Sequence, residues 1–184
     1  MDQNNLQERT ISSELIYQGK IITVKVDEVT LPNGKTAKRE IVHHQGAVAV
    51  MPLTDDDRLI AVRQFRKPLE KTIVEIPAGK LEPGEDPLDC AVRELEEETG
   101  YQAEQVTHLS SFYTSPGFAN EMLHLYVATG LRPGPSRLDE DEFVEVLALT
   151  REEAWALHAS GEICDAKTVL ALFAWENRVA KQRG

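Results

Sequence analysis

Gly79-Lys-Leu-Glu-Pro-Gly-Glu85-Asp-Pro-Leu-Asp-Cys-Ala-Val-Arg93-Glu94-Leu95-Glu-Glu97-Glu98-Thr-Gly100-Tyr101 is the stretch on which the reading of this chain turns. Asp86, Pro87 and Asp89 have the chemistry of a helix start: a side-chain oxygen to cap, a proline whose missing N–H is not needed in the first turn, and an acid at the positive end of the dipole. Gly100 supplies the matching stop. Between them Leu88, Ala91, Val92 and Leu95 fall at i, i+3, i+4 and i+7, which predicts one buried stripe. At about 100° per residue, Glu94 and Glu98 lie roughly 40° apart on a flank of that stripe, with Glu97 further round.

A solvated acidic face is the ordinary reading of such glutamates. Here they run from Glu96 to Glu98 against the helix macrodipole. The like-charged pair Glu94/Glu98 also costs on the order of 0.2 to 0.5 kcal/mol. A divalent cation reverses that penalty, and hard oxygen ligands select Mg²⁺, with Mn²⁺ the alternative.

Toward the N-terminus, apolar residues alternate over 21–29 and again over 39–42, and Pro32-Asn33-Gly34 between them predicts a β-hairpin. Residues 46–53 and 59–65 are continuously apolar, flank Asp55-Asp56-Asp57, and are expected to be paired core strands. Toward the C-terminus, strands are expected at 109–113 and 122–128 around Ser115-Pro116-Gly117, then a mobile polar loop over 130–142 and a strand at 143–149. Thr150-Arg-Glu-Glu153 is a capping box opening a helix that stops near Gly161, and Asp165 caps a second helix reaching about Lys181.

With 184 residues, 41% of them apolar, the chain supports one core and an appendage. Its formal net charge of -11 argues against a protein that tracks nucleic-acid backbone, which needs a surplus of Lys and Arg. Cys90 and Cys164 lack metal-ligand spacing and read as small residues on helices. Residues 1–8 do not resemble a secretory leader, and no apolar run approaches the roughly 20 residues that cross a bilayer. A soluble cytoplasmic protein with no membrane partner is expected.

Gly79 to Tyr101 resembles the Nudix box, G-x5-E-x7-R-E-U-x-E-E-x-G-U, at every fixed position. The resemblance implies an α+β fold, a mixed β-sheet sandwiched between helices, with residues 1–43 as an N-terminal β-hairpin subdomain exchanged across a homodimer and 44–184 as the hydrolase domain. Glu94, Glu97 and Glu98 match the family's metal ligands, and the carbonyl of Ala78 would add another. Glu85 and Arg93 would form a structural pair steadying the loop on the helix.

Outside the box the chain is similar to ADP-ribose pyrophosphatases. Pro116 stands where that subgroup places a proline after the box, and Arg63-Gln-Phe-Arg66, Val74-Glu75-Ile-Pro-Ala-Gly79 and Glu121 look like it too. The resemblance implies Mg²⁺-dependent hydrolysis of ADP-ribose to AMP and ribose 5-phosphate. Glu142 would be the base, with Glu140 second. Arg66, Arg39 and Arg63 would meet phosphates. Pro116, Gly117 and Glu121 would lie near substrate, and Tyr17, Ile21 and Ile22 would form an adenine surface, ordinary hairpin core being their alternative. The competing functions are hydrolysis of another nucleoside diphosphate derivative, such as a nucleotide sugar or dinucleotide, and a non-catalytic ADP-ribose sensor. The intact acids of the box and the absence of a basic helix argue against the sensor.

Overall fold

The computed structural model describes residues 6–134 and 143–183. Two compact units divide the chain, Met1–Gly46 with Phe112–Met122 and Ala47–Ser111 with Leu123–Gly184.

The first unit is built on an antiparallel sheet of β1 (Arg9–Gln18), β2 (Ile22–Thr30) and β3 (Thr36–His44), in that order. The expected hairpin is β2 with β3, turned where Gly34 adopts φ 81° and donates to the Leu31 carbonyl at 2.9 Å. β1 makes the sheet three-stranded. Alternation does not reveal it, because all ten of its residues are exposed and apolar Ile11, Leu15, Ile16 and Tyr17 are not confined to every second position. The segment from Phe112 to Met122 lies along β3, with Val42 N–H donating to the Phe118 carbonyl at 2.8 Å and Asn120 N–H to the Val42 carbonyl at 3.2 Å.

The second unit carries two sheets and three helices. β4 (Ala47–Pro52), all six residues buried, is flanked by antiparallel β7 (Ala78–Lys80) and parallel β9 (Met122–Pro133), with β8 (Tyr101–Tyr113) at the edge beyond β9. The other sheet is antiparallel: β10 (Val144–Leu149), β5 (Leu59–Arg66) and β6 (Lys71–Glu75). The helices are α1 (Pro87–Thr99), α2 (Arg151–Ser160) and α3 (Ala166–Arg183).

Three expectations are corrected. β4 and β5 are both core strands, but they belong to different sheets, and between them the described residues form just the isolated Leu53↔Leu59 bridge rather than a ladder. β9 continues to Pro133, into the stretch expected to be loop. On α1, Leu88 and Val92 are exposed, and the buried side is Cys90, Ala91, Glu94, Leu95, Glu98 and Thr99. The stripe is rotated, so two of the glutamates share the inward face with Leu95.

The caps came out as expected. Asp86 accepts from Leu88 N–H at 2.8 Å, Gly100 is left-handed at φ 71°, and Thr150 and Glu153 form the capping box. Cys164 lies in the turn before α3 rather than on a helix, and Thr168 N–H donates to Asp165 at 3.1 Å. Cys90, Ala91 and Leu95 seat α1 on Val48 and Val50 of β4 and on Tyr126 and Ala128 of β9. Small residues at 90 and 91 let the helix approach its sheet closely, which puts the inward glutamates against β7.

Candidate active site

β6 leads through Ile76 and Pro77 into β7, and β7 meets the inward face of α1. Gly79 is required there for space. A Cβ added at Gly79 would stand 1.8 Å from Glu94 Cδ and 1.9 and 2.3 Å from its carboxylate oxygens. One residue earlier, Ala78 N–H donates to Glu98 Oε2 at 3.1 Å. Two carboxylates, Glu94 and Glu98, are thus buried beside the backbone of 78–79, while Glu97 is half-buried.

Arg93 ties the loop to the helix. Its Nε and Nη2 donate to the two oxygens of Glu85 at 3.0 and 3.1 Å, and its Nη1 donates to Glu94 at 2.8 Å and Glu97 at 2.9 Å. The Arg93 hydrogen bonds, with the Glu82 N–H behind them, hold the Glu85 carboxyl down at about 2. The same acids, Glu85 foremost, raise the affinity of Arg93 for its proton. Burial and the neighbouring Glu85 push the Cys90 thiol up to about 12, so it stays protonated near neutrality.

Burying acids together is expensive unless cations or hydrogen bonds compensate. Glu94 has Arg93 and Glu98 has the Ala78 N–H, and hard oxygen donors side by side suit a divalent cation. Among the described residues no three acidic, histidine or cysteine side chains converge into a closed cage. The donor set fits a metal that keeps waters and substrate oxygens in its shell. A cavity of about 360 Å³ opens along the other flank of α1, lined by Asp89, Arg93, Glu96, Glu97 and Gln102.

A NUDIX domain profile matches residues 43–172, spanning this site. The chain belongs to the Nudix family. A second profile, the nucleoside diphosphate sugar hydrolase N-terminal domain, matches residues 8–42. The chain is 56% identical over 170 residues to an ADP-ribose pyrophosphatase of Bacillus subtilis, covering 91% of this chain and 92% of that one. It is also 56% identical over 168 residues to a methanol dehydrogenase activator of Bacillus methanolicus, covering 90% and 91%. A solved structure of an ADP compounds hydrolase superposes with a TM-score of 0.84 at 25% identity, covering 97% of each chain. This Nudix protein is a hydrolase, and its family generally uses divalent metal ions.

The remaining predicted residues are distributed as follows. Arg66, at the end of β5, grips Glu75 through Nε at 2.7 Å and Nη2 at 2.9 Å. Arg63 is held by its cross-strand neighbour Glu145 at 2.8 Å and by Glu162 at 3.7 Å. Tyr17, Ile22, Arg39, Pro116, Gly117 and Glu121 belong to the first unit. There Arg39 pairs with Glu8 at 2.6 Å, and Tyr17 and Ile21 are exposed rather than hairpin core. Glu121 accepts from Thr114 Oγ1 at 2.5 Å. Its 3.6 Å approach to His44 Nδ1 is too long for a hydrogen bond, and that nitrogen accepts from Gly46 N–H at 3.0 Å. Glu140 and Glu142 lie outside the described residues.

The sequence reading gives no role to Glu75 or Lys167, and the structure joins both to Arg66 through the Glu75 carboxylate. A glutamate set among Ile73, Val74 and Ile76 on a strand was the signal, since a buried acid must find cations.

Two predictions follow from this geometry. Gly79→Ala must displace the Glu94 carboxylate, so turnover is expected to fall by about 10²-fold, as misplacement of a site by an ångström does. Far-ultraviolet circular dichroism should stay unchanged, and wild-type turnover in the variant would show that Glu94 does not need this position. Glu85 has a folded pKa of about 2, below its ordinary 4.5, so its contribution to stability is present above pH 4.5 and is lost as pH falls through 2. Glu85→Gln should therefore melt below wild type at pH 7, with the gap narrowing as pH drops below 4.5. A gap independent of pH would contradict the ion pair.

Proposed function

We propose that this Nudix hydrolase cleaves the diphosphate of ADP-ribose, giving AMP and ribose 5-phosphate, with Mg²⁺ held by Glu94, Glu97, Glu98 and the carbonyl of Ala78. The observation that carries the reading is the packing of the Glu94 carboxylate on Gly79 beside Glu98. The likeness to the Bacillus subtilis pyrophosphatase over nine-tenths of the chain supports the substrate.

A bound Mg²⁺ supplies neutralisation of the diphosphate oxygens and activation of the attacking water. The protein's part is to aim and to accept a proton. Arg66 presents its Nη1 edge, the one not turned to Glu75, to a phosphate oxygen. Arg63 and Arg39 are weaker candidates for phosphate, each already holding an acid. The new bond joins the water oxygen to phosphorus while the bond to the bridging oxygen breaks. Glu142 takes the water's proton, with Glu140 second in line. Pro116, Gly117 and Glu121 contribute to the substrate pocket, and Tyr17 and Ile22 to an adenine surface.

Purified protein with Mg²⁺ is expected to release AMP from ADP-ribose faster than from a nucleotide sugar or a dinucleotide. Glu98→Gln should lose orders of magnitude in turnover with an unchanged melting temperature, and Glu142→Gln about 10²- to 10⁴-fold, the usual contribution of a general base. No AMP from ADP-ribose, with turnover of another compound in the panel, would replace this substrate.

We also take residues 1–43 as an exchange element and the working form as a homodimer in the cytoplasm, with no nucleic-acid or membrane partner. β1 supports the dimer, because Ile11, Leu15, Ile16 and Tyr17 each keep more than half of their surface exposed. Exposed apolar side chains along an edge strand offer a surface for a second copy to cover. Both cysteines are free, and no helix among the described residues is long and apolar enough to cross a membrane. Sedimentation at micromolar concentration should give a dimer, and deletion of 1–43 a monomer. A monomeric full-length chain would remove the exchange.

A further inference from the structure

The first turn of α3 reaches the strand that feeds the site. Thr168, fully buried, accepts from the Ile76 N–H at 3.0 Å. One residue earlier, Lys167 Nζ donates to Glu75 Oε2 and, at 3.0 Å, to Asp165. Glu75 is only 1% exposed, and its carboxylate lies between two cations, Arg66 and Lys167. The other Asp165 oxygen is buried without a hydrogen-bond partner among the described residues, so that acid leans on Lys167 as well.

The four formal charges of Arg66, Glu75, Lys167 and Asp165 cancel. Without Lys167 the set is net negative, Arg66 alone must balance the Glu75 carboxylate, and Asp165 and Glu98 also act on it. A guanidinium so surrounded is a poor receptor for an anion. The packing fixes this arrangement, since Thr168 and Lys167 grip consecutive residues, Ile76 and Glu75, just before Pro77 and the site backbone of 78–79.

We propose that Lys167 is a positioning residue for diphosphate binding: by sharing the Glu75 carboxylate with Arg66, it keeps the charge of Arg66 available to the substrate's phosphates. This rests on the reading of Arg66 as a phosphate ligand. Lys167 acts through Glu75 and Arg66 and needs no contact with substrate. Its effect is on binding rather than on the bond-breaking step.

The test compares wild type with Lys167→Met, Lys167→Gln and Lys167→Arg. It measures steady-state AMP release from ADP-ribose, calorimetric binding of inorganic pyrophosphate in Mg²⁺, and thermal melting. Lys167→Met and Lys167→Gln should raise KM and weaken pyrophosphate about tenfold, the scale of one partly screened charge, with kcat within about threefold. Lys167→Arg should restore most of both. A purely structural role predicts lower melting temperatures with KM unmoved and no advantage for arginine over glutamine, and that result overturns the proposal. Should Lys167→Met not fold, Lys167→Gln, which keeps a donor to Glu75 without the charge, decides alone. If wild type releases no AMP from ADP-ribose yet pyrophosphate binding still depends on Lys167, the substrate reading falls and the positioning role stands. If wild type binds neither, both fall.

Discussion

The Glu94 carboxylate packed on the backbone of Gly79 is the contact on which the site depends. Everything that brings α1 to β7 serves it: Cys90 and Ala91 are small enough to let the helix lie close on its sheet, and Leu95 anchors the next turn in the same core. Arg93 then spans from Glu85 in the loop to Glu94 and Glu97 on the helix, so loop and helix share one cation. An apolar residue at 94 would suit the core better by hydrophobicity alone. The acid kept there, with a glycine opposite that gives it room, is what the proposed metal site rests on.

The ends of the elements were legible because caps are local chemistry: Asp86, Pro87 and Gly100 fix α1 whatever surrounds it, and Thr150 with Glu153 fixes α2. What could not be read was set by distant partners. Residues 46–53 and 59–65 are near in sequence and alike in hydrophobicity, so pairing them was the economical choice. β4 instead takes β9 as its parallel neighbour, and only the assembled sheet reveals that. Exposed β1 carries no alternation to detect.

The face of α1 failed for a more instructive reason. A hydrophobic-period argument assigns acids outward, so it places Leu88 and Val92 inside and Glu94 and Glu98 on a flank. The structure turns the helix so that Glu94 and Glu98 are buried and the two apolar residues are exposed. Periodicity alone therefore misplaced the face of α1 on which Glu94 and Glu98 sit. Glu75 belongs to the same class, an acid whose burial contradicts its type until Arg66 and Lys167 are seen beside it.

These buried acids bear on how an anionic substrate is held at all. The chain carries a formal net charge of -11, so its long-range field opposes a diphosphate. Local cations do not reverse that field: Arg93 is surrounded by Glu85, Glu94 and Glu97, and the formal charges of Arg66 and Lys167 are matched by Glu75 and Asp165. Arg93 thus orients acids more than it supplies surplus charge, and Arg66 keeps charge for a phosphate only to the extent that Lys167 shares Glu75 with it. Under the proposed hydrolysis, most of the positive charge that offsets the diphosphate would come with the divalent ion. The proposed dependence on metal would then follow from the chain's own charge balance as well as from the ligand set.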